Sequence, residues 1–395
     1  MKSSWLGFIS ATMVLIALFA TAAAPIPLYG QYAQVFALSQ RDLAATSVLY
    51  FTGTMTALLF FSRVSNYLGR KVVIYIILVL ASIGCAFFAF LESKEMLLLA
   101  RFIQGLSCGM ASSTVMAYMM DTEPRRGLCS AFTTGGPNVG LGFGALGMGI
   151  ILVYTKLAIS PFILCVGVLF LLGIAISCSP ETMQPRPGVL SALRPRLSLP
   201  EKVRPHILPV TCIAVAGWSM GGFYQAYSAV MTMTFFGLSH SFLAAVFCFS
   251  FIGSIGIGAV WARTWSAREA QLRGMTGYVM AFLFIYMVTD GGLYWLSLGG
   301  NIAAGIAEGV MFSGALKAMV ATATAEERAH VLSLLYLLSY GGAAIPNQLF
   351  GIFTNSWPLH SVLGGYVVLI IVCYLLFMVY TLFQVPAGMA RKASI

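Results

Sequence analysis

The sequence predicts an all-α membrane protein of twelve transmembrane helices, divided six and six. Three observations lead there. Of 395 residues, 59% are hydrophobic and only 9% charged, with a mean hydropathy of +0.90; a soluble domain carries roughly 25% charged residues. Apolar runs of about 20 residues, the length that spans a bilayer core as helix, recur along the whole chain. A single long polar break, residues 179–206, interrupts them with Pro180, Pro185, Pro187, Pro195, Pro200 and Pro205. Proline opposes regular helix, so the break reads as an extended linker. The expected domains are therefore 1–180, a linker at 181–206, and 207–395.

In chain order the expected spans are 5–28, 43–63, 72–91, 96–120, 128–154 and 160–179, then 207–236, 241–262, 275–290, 293–321, 330–354 and 362–384. Lys2, an apolar run and Ala22-Ala23-Ala24 imitate a signal peptide with a small-residue cleavage site. The run is long enough to be a span and further spans follow, so it is read as an uncleaved first helix. Ser39-Gln40-Arg41-Asp42 has the Ser-x-x-acid spacing of a helix start, and Ser93 precedes the fourth span.

Orientation follows from the basic residues. With the N-terminus inside, seventeen of the 22 lysines and arginines fall in cytoplasmic segments and three, Arg41, Lys94 and Lys156, fall outside. The positive-inside rule then places both termini in the cytoplasm of a cell (inner, cytoplasmic) membrane. It also accounts for the net charge of +10 without a nucleic-acid partner. The eight cysteines show no CxxC or paired spacing, so neither a disulfide framework nor a metal site is indicated, and no cofactor is expected. The four histidines lie near span ends, which argues against a histidine proton relay at mid-membrane depth.

The two remaining basic residues, Arg101 and Lys317, fall within spans. Arg101 lies roughly 8 Å below the outer interface at helical rise, with Gln104, Cys108 and Ser112 on its face. A charge at such depth faces a partner or a water-filled cavity. It either orients a substrate anion and tunes a nearby acid, or it is a structural arginine bonded to carbonyls. Glu308, in NIAAGIAEGVMFSGALK, is the single carboxylate at the centre of a predicted span, with Asn301 and Phe312 on the same face. Desolvation favours the protonated form of such a carboxyl group, which a proton-coupling acid needs; the other reading is a permanently hydrogen-bonded structural glutamate. Lys317, about 13 Å nearer the cytoplasm, is expected to snorkel.

Candidate substrate surfaces are Trp218, Phe223, Tyr224, Gln225 and Tyr227 around Gly221-Gly222, and Ser333, Tyr336, Tyr340 and Asn347 on one face of the eleventh span. Tyr29 and Tyr32 are equally well explained as interfacial anchors. Gly136, Gly140 and Gly144 form a small-xxx-small stripe for close helix packing, beside Pro137, which permits a bend. Gly105/Gly109, Gly217/Gly221 and Gly305/Gly309 are expected to add further close contacts.

Residues 62–71, SRVSNYLGRK, resemble the loop between the second and third helices of the major facilitator superfamily, which typically reads G-x-L-x-D-R-x-G-R-K. Gly69, Arg70 and Lys71 match; Ser62, Asn66 and Tyr67 replace the usual Gly, Asp and Arg. Arg101-x-x-Gln104-Gly105 with Gly109 resembles the family's fourth-helix motif. Asp121-Thr-Glu-Pro-Arg125-Arg126-Gly127 resembles its next turn, and Gly136-Pro137-x-x-Gly140 its fifth-helix antiporter motif, with Phe132 where an earlier glycine is usual. The resemblance implies two six-helix bundles around a central cavity. It also implies gating contacts at Asn66, Gly69, Arg70, Asp121, Arg125, Gly136, Pro137 and Gly140; Asn66 lacks the charge of the usual Asp, which predicts a weaker latch.

The expected function is proton-coupled export of a drug, siderophore or other metabolite by alternating access, carried out by a monomer in the lipid bilayer. Glu308 and Arg101 are the coupling residues. The expected substrate-binding set is Arg101, Gln104, Trp218, Tyr224, Gln225, Asn301, Glu308, Tyr336 and Tyr340. The alternative is a proton symporter importing an anionic or polyhydroxylated metabolite or a metal chelate. An enzyme is not expected: there is no Walker-type nucleotide loop and no nucleophile–base cluster. A non-transporting receptor would leave the buried Arg101 and Glu308 unexplained.

Overall fold

The computed structural model of the protein describes residues 2–124, 128–154, 159–194, 201–321, 328–353 and 356–390. Among them, helix lies over each of the twelve expected spans: α1 Lys2–Ala23, α2 Gln40–Thr56, α3 Arg70–Ala89, α4 Lys94–Asp121, α5 Leu128–Tyr154, α6 Ile159–Ser177, α7 Arg204–Phe236, α8 Ser241–Ile252, α9 Ala267–Asp290, α10 Tyr294–Ala321, α11 Arg328–Phe353 and α12 Leu359–Ala390. Nine helical stretches of the described residues are long and apolar enough to cross a membrane, and Pro161–Ser177 is a shorter apolar helix. Helix is the expected answer in lipid, because it satisfies every backbone polar group within its own segment.

Local chemistry sets the boundaries. Pro25 and Pro27 lack the N–H that would continue α1, so the helix stops at Ala23 and resumes, after a 3₁₀ turn, as the short helix Tyr29–Val35. Ser39 and Asp42 form a complete capping box at the start of α2, and Ser93 caps α4, both as expected. The ninth span departs from expectation. Its expected start is residue 275, yet α9 begins at Ala267. Ser266 and Glu269 make a second capping box there, which satisfies the first amides and carries a charged turn into the helix.

The chain forms two compact units, Met1–Arg196 with Phe223–Gly253 and Leu197–Gly222 with Ser254–Ile395. α7 changes unit just after Gly221-Gly222, and the eighth span does so where α8 gives way to the short helix Ile255–Trp261.

The first unit is built on close helix seams. A Cβ at Gly105 of α4 would collide with the Tyr50 carbonyl of α2, and one at Gly144 of α5 with the Ala20 carbonyl of α1. The expected stripe on α5 therefore faces α1 along Gly136, Gly140 and Gly144. In the second unit the same device recurs where Gly309 of α10 lies against Ile255, and where Gly217 of α7 lies against Glu308. Gly221 departs from the expected pattern, since nothing stands within 4 Å of where its Cβ would be.

This distinction is testable by thermal unfolding of the detergent-solubilised protein. Gly105→Val should lower the midpoint, because overpacking a seam costs about 1–3 kcal/mol, while Gly221→Ala should leave it unchanged. Equal midpoints would show that α2 and α4 separate at no cost.

Candidate functional site

In the second unit α10 carries Glu308 to the interior. The residue is only 5% exposed, its Oε2 has no hydrogen-bond partner, and its Oε1 lies 2.9 Å from where a Cβ of Gly217 would stand. Glu308 appears in none of the ion pairs among the described residues. A carboxyl in such surroundings is costly to bury without a hydrogen-bond partner for each oxygen. The same unit holds an aromatic group drawn from α7, α10 and α11. The Trp218 ring meets Tyr340 edge-on at 4.9 Å and Phe312 at 5.9 Å, and Tyr336 stacks on Tyr340 at 6.2 Å. Phe312 follows Glu308 by one helical turn in α10, and Trp218 follows Gly217 in α7. The Tyr278 hydroxyl of α9 donates to the carbonyls of Ala216 and Gly217 at 3.3 and 3.4 Å and fixes that part of α7.

Arg101 of the first unit is fully buried and is satisfied in another way. Its Nη1 donates to the Ala22 carbonyl at 2.6 Å and to Gln104 Oε1 at 2.9 Å; Nε reaches the Thr46 carbonyl and Nη2 reaches Gln225 Oε1, both at 3.4 Å. The Tyr50 ring lies 4.7 Å below the guanidinium carbon. Gln104 in turn donates to the Thr21 carbonyl at 2.9 Å. Four of the five guanidinium N–H groups are thus engaged by α1, α2, α4 and α7.

The loop between α2 and α3 forms a third centre. Gly69 adopts φ +93°, which favours glycine, and turns the chain so that Arg70 starts α3. Arg70 Nε pairs with Asp121 Oδ2 at 3.0 Å, and its Nη1 donates to Ser65 Oγ at 2.7 Å and Asn66 Oδ1 at 2.8 Å. Asn66 thus keeps a place in the latch as a neutral acceptor. The carboxylate that sequence reasoning missed is Glu181. It accepts the Arg70 and Lys71 amides at 3.0 and 2.9 Å, a negative charge at the positive end of a helix. Thr182 Oγ1 donates to Asp121 Oδ2 at 2.9 Å, and Lys71 Nζ donates to the Ser177 and Ser179 carbonyls at 3.0 and 2.8 Å. The signal available in the sequence was an acid just after the sixth span, at the head of a linker in which basic residues outnumber acidic ones.

The other expected site residues are dispersed. Tyr224 is buried on Phe251 and Phe247, with ring centroids 4.6 and 5.7 Å away. Asn301 is buried on α10. Asn347 donates to the Ser219 and Ala343 carbonyls and accepts from Tyr366, tying α11 to α7 and α12. Lys317 donates to the carbonyls of Ala262, Arg263 and Trp265 at 2.6, 3.0 and 3.0 Å, capping the turn that ends the eighth span. Arg125, Arg126 and Gly127 lie outside the described residues, as does the Ser333 side chain.

Long apolar helices, close glycine seams and buried ionisable groups describe a membrane protein with several spans. The Major Facilitator Superfamily family model matches residues 8–346, and the chain belongs to that superfamily of transporters. Among solved structures it is similar to the nucleoside transporter NupG (D323A mutant), with a TM-score of 0.72, 12% identity and coverage of 95% of this chain and 99% of that one. It is also similar to a bacterial homologue of the human lysosomal transporter Spinster, in an inward-facing and occupied conformation, with a TM-score of 0.66, 14% identity and coverage of 95% and 96%. At such identities the likeness concerns the fold alone. No curated protein matches the chain by sequence.

The loop latch gives a direct prediction. Glu181→Gln weakens the cap on the first amides of α3 by about 1 kcal/mol, so hydrogen exchange at Arg70 and Lys71 should quicken about fivefold. Unchanged exchange would show that Glu181 does not hold the loop.

Proposed function

We propose that this transporter exports a small molecule in exchange for protons, with Glu308 as the group that exchanges them. The observation that carries the reading is the burial of Glu308 with one oxygen unpartnered and no ion pair among the described residues. A carboxyl so placed is stable when protonated. It can be ionised only if water or a cation reaches it, which links its proton to opening of the site and to cargo. Alternating access would move two bundles, 1–180 and 207–395, about the linker 181–206, in the cytoplasmic membrane with both termini inside. Drugs, siderophores and other metabolites are the cargo classes that the sequence brings into view.

Export is supported by the resemblance of Gly136-Pro137-x-x-Gly140 to the antiporter motif and by the close seam that these residues make with α1. Import of an anion would draw on Arg101, whose N–H groups are largely engaged by backbone carbonyls and amide side chains. Arg101 is better read as a positioning residue that fixes α1 and α2 around α4. Asn66, Gly69, Arg70, Asp121 and Glu181 would act as the gate-side latch.

The test is flux in proteoliposomes under an imposed pH gradient, with cargo chosen from a ligand-induced thermal-shift screen. Glu308→Gln should unfold at the wild-type temperature and lose gradient-driven flux by at least about tenfold, the loss expected when a coupling group is removed. It should keep downhill exchange of cargo. Gradient-driven flux retained in this variant would remove Glu308 from the coupling mechanism.

A further inference from the structure

Spacing along the chain pairs none of the cysteines, but the packing of α3 against α6 brings two of them together. Two contacts fix the register of these antiparallel helices. Phe88 stacks on Phe162 with ring centroids 5.4 Å apart and planes 19° from parallel. Further along, Leu78 Cδ1 lies 3.7 Å from where a Cβ of Gly173 would stand. One helical turn in from the ring stack, this register sets Cys85 opposite Cys165, and their thiols meet. Cys85 is buried, whereas Cys165 keeps part of its surface accessible. Cys165 lines an apolar cavity of about 190 Å³ between α1, α5 and α6, with Ala20, Thr21, Phe143, Gly147 and Leu164. Phe143 and Leu164 are 70% and 58% exposed, which opens the cavity on the face that meets lipid. Thr21 Oγ1, which donates to the Leu18 carbonyl at 2.8 Å, stands beside Cys85.

We propose that Cys85 and Cys165 form a redox site, which an organic hydroperoxide dissolved in the bilayer, such as a peroxidised lipid, converts from two thiols to a disulfide. Cys165 Sγ, the sulfur with access to the cavity, attacks the terminal oxygen of the hydroperoxide. A sulfur–oxygen bond forms as the oxygen–oxygen bond breaks. The peroxide is reduced to an alcohol, which takes up the thiol proton, and Cys165 is oxidised to the sulfenic acid. Cys85 Sγ then attacks Cys165 Sγ. The sulfur–sulfur bond replaces the sulfur–oxygen bond, and the hydroxyl departs as water with the Cys85 proton. Two thiols and one hydroperoxide thus give one disulfide, one alcohol and one water. All of these species are neutral, which suits an apolar layer where a charge is costly. Thiols in apolar surroundings react slowly, so the site records sustained peroxidation rather than a brief exposure. Lys71 and Glu181 already tie α3 to the end of α6 at the latch; the disulfide fastens the two helices at their other end.

The test treats proteoliposomes of the full-length protein with cumene hydroperoxide, which enters lipid, and separately with tetrathionate, a dianion confined to water. Peptide mass spectrometry without reduction should find Cys85 linked to Cys165 after cumene hydroperoxide, and dithiothreitol should undo the link. Tetrathionate should modify the exposed Cys178 first and leave the pair as thiols. In Cys85→Ser, dimedone should trap the sulfenic acid at Cys165; in Cys165→Ser it should label Cys85 at least about tenfold less, as befits a buried thiol. Gly147→Leu, which places a side chain in the open space of the cavity, should slow the linking severalfold. The oxidised wild-type protein should unfold about 5 °C above the reduced one, a shift absent from Cys85→Ser. No Cys85–Cys165 link under cumene hydroperoxide, a link that forms as readily with tetrathionate, or a sulfenic acid trapped at Cys85 in preference to Cys165 would each overturn the proposal.

Discussion

A polar group inside an apolar helix bundle has to be satisfied by the bundle itself, and Arg101 and Glu308 meet that constraint in opposite ways. Arg101 is surrounded by acceptors that belong to the fold: carbonyls of Ala22 and Thr46 and the amide oxygens of Gln104 and Gln225. A guanidinium so engaged fixes the helices around it. Glu308 lies against Gly217 and has an oxygen with no partner. One charge holds the fold together; the other is left for chemistry that the fold alone does not complete.

The glycine seams make both arrangements possible. Because Gly105 and Gly109 let α4 press against the backbone of α2, the Thr46 carbonyl comes within reach of Arg101. Because Gly217 has no side chain, the carboxyl of Glu308 fits against α7. Close approach thus decides where polar groups can be placed, and the same smooth contacts suit helices that must move against one another. The latch before α3 is of another kind, built from charge: Arg70, Asp121 and Glu181 gather where the chain leaves the apolar layer.

The all-helical fold was legible because membrane length and proline placement are one-dimensional signals. Arg101 and Glu308 were legible because a charge in an apolar run is conspicuous anywhere. What stayed hidden depends on partners distant in sequence. Glu181 caps α3 from more than 100 residues away, and no local pattern marks it as a cap. Tyr224 and Trp218 look alike on α7, yet one stacks on Phe247 and Phe251 and the other meets Tyr340. Which face each ring takes is decided by tertiary packing. The start of α9 was available in principle from Ser266 and Glu269, but the basic residues around them resemble a loop.

The central claim is that the carboxyl of Glu308 gains and loses a proton while the protein stays folded. Infrared difference spectroscopy of the reconstituted transporter, recorded between the two pH values of the flux assay, observes that event directly. A carboxylic-acid carbonyl band is expected that disappears as the pH is raised and that is absent in Glu308→Gln. A spectrum in which Glu308→Gln removes no band at either pH would contradict it.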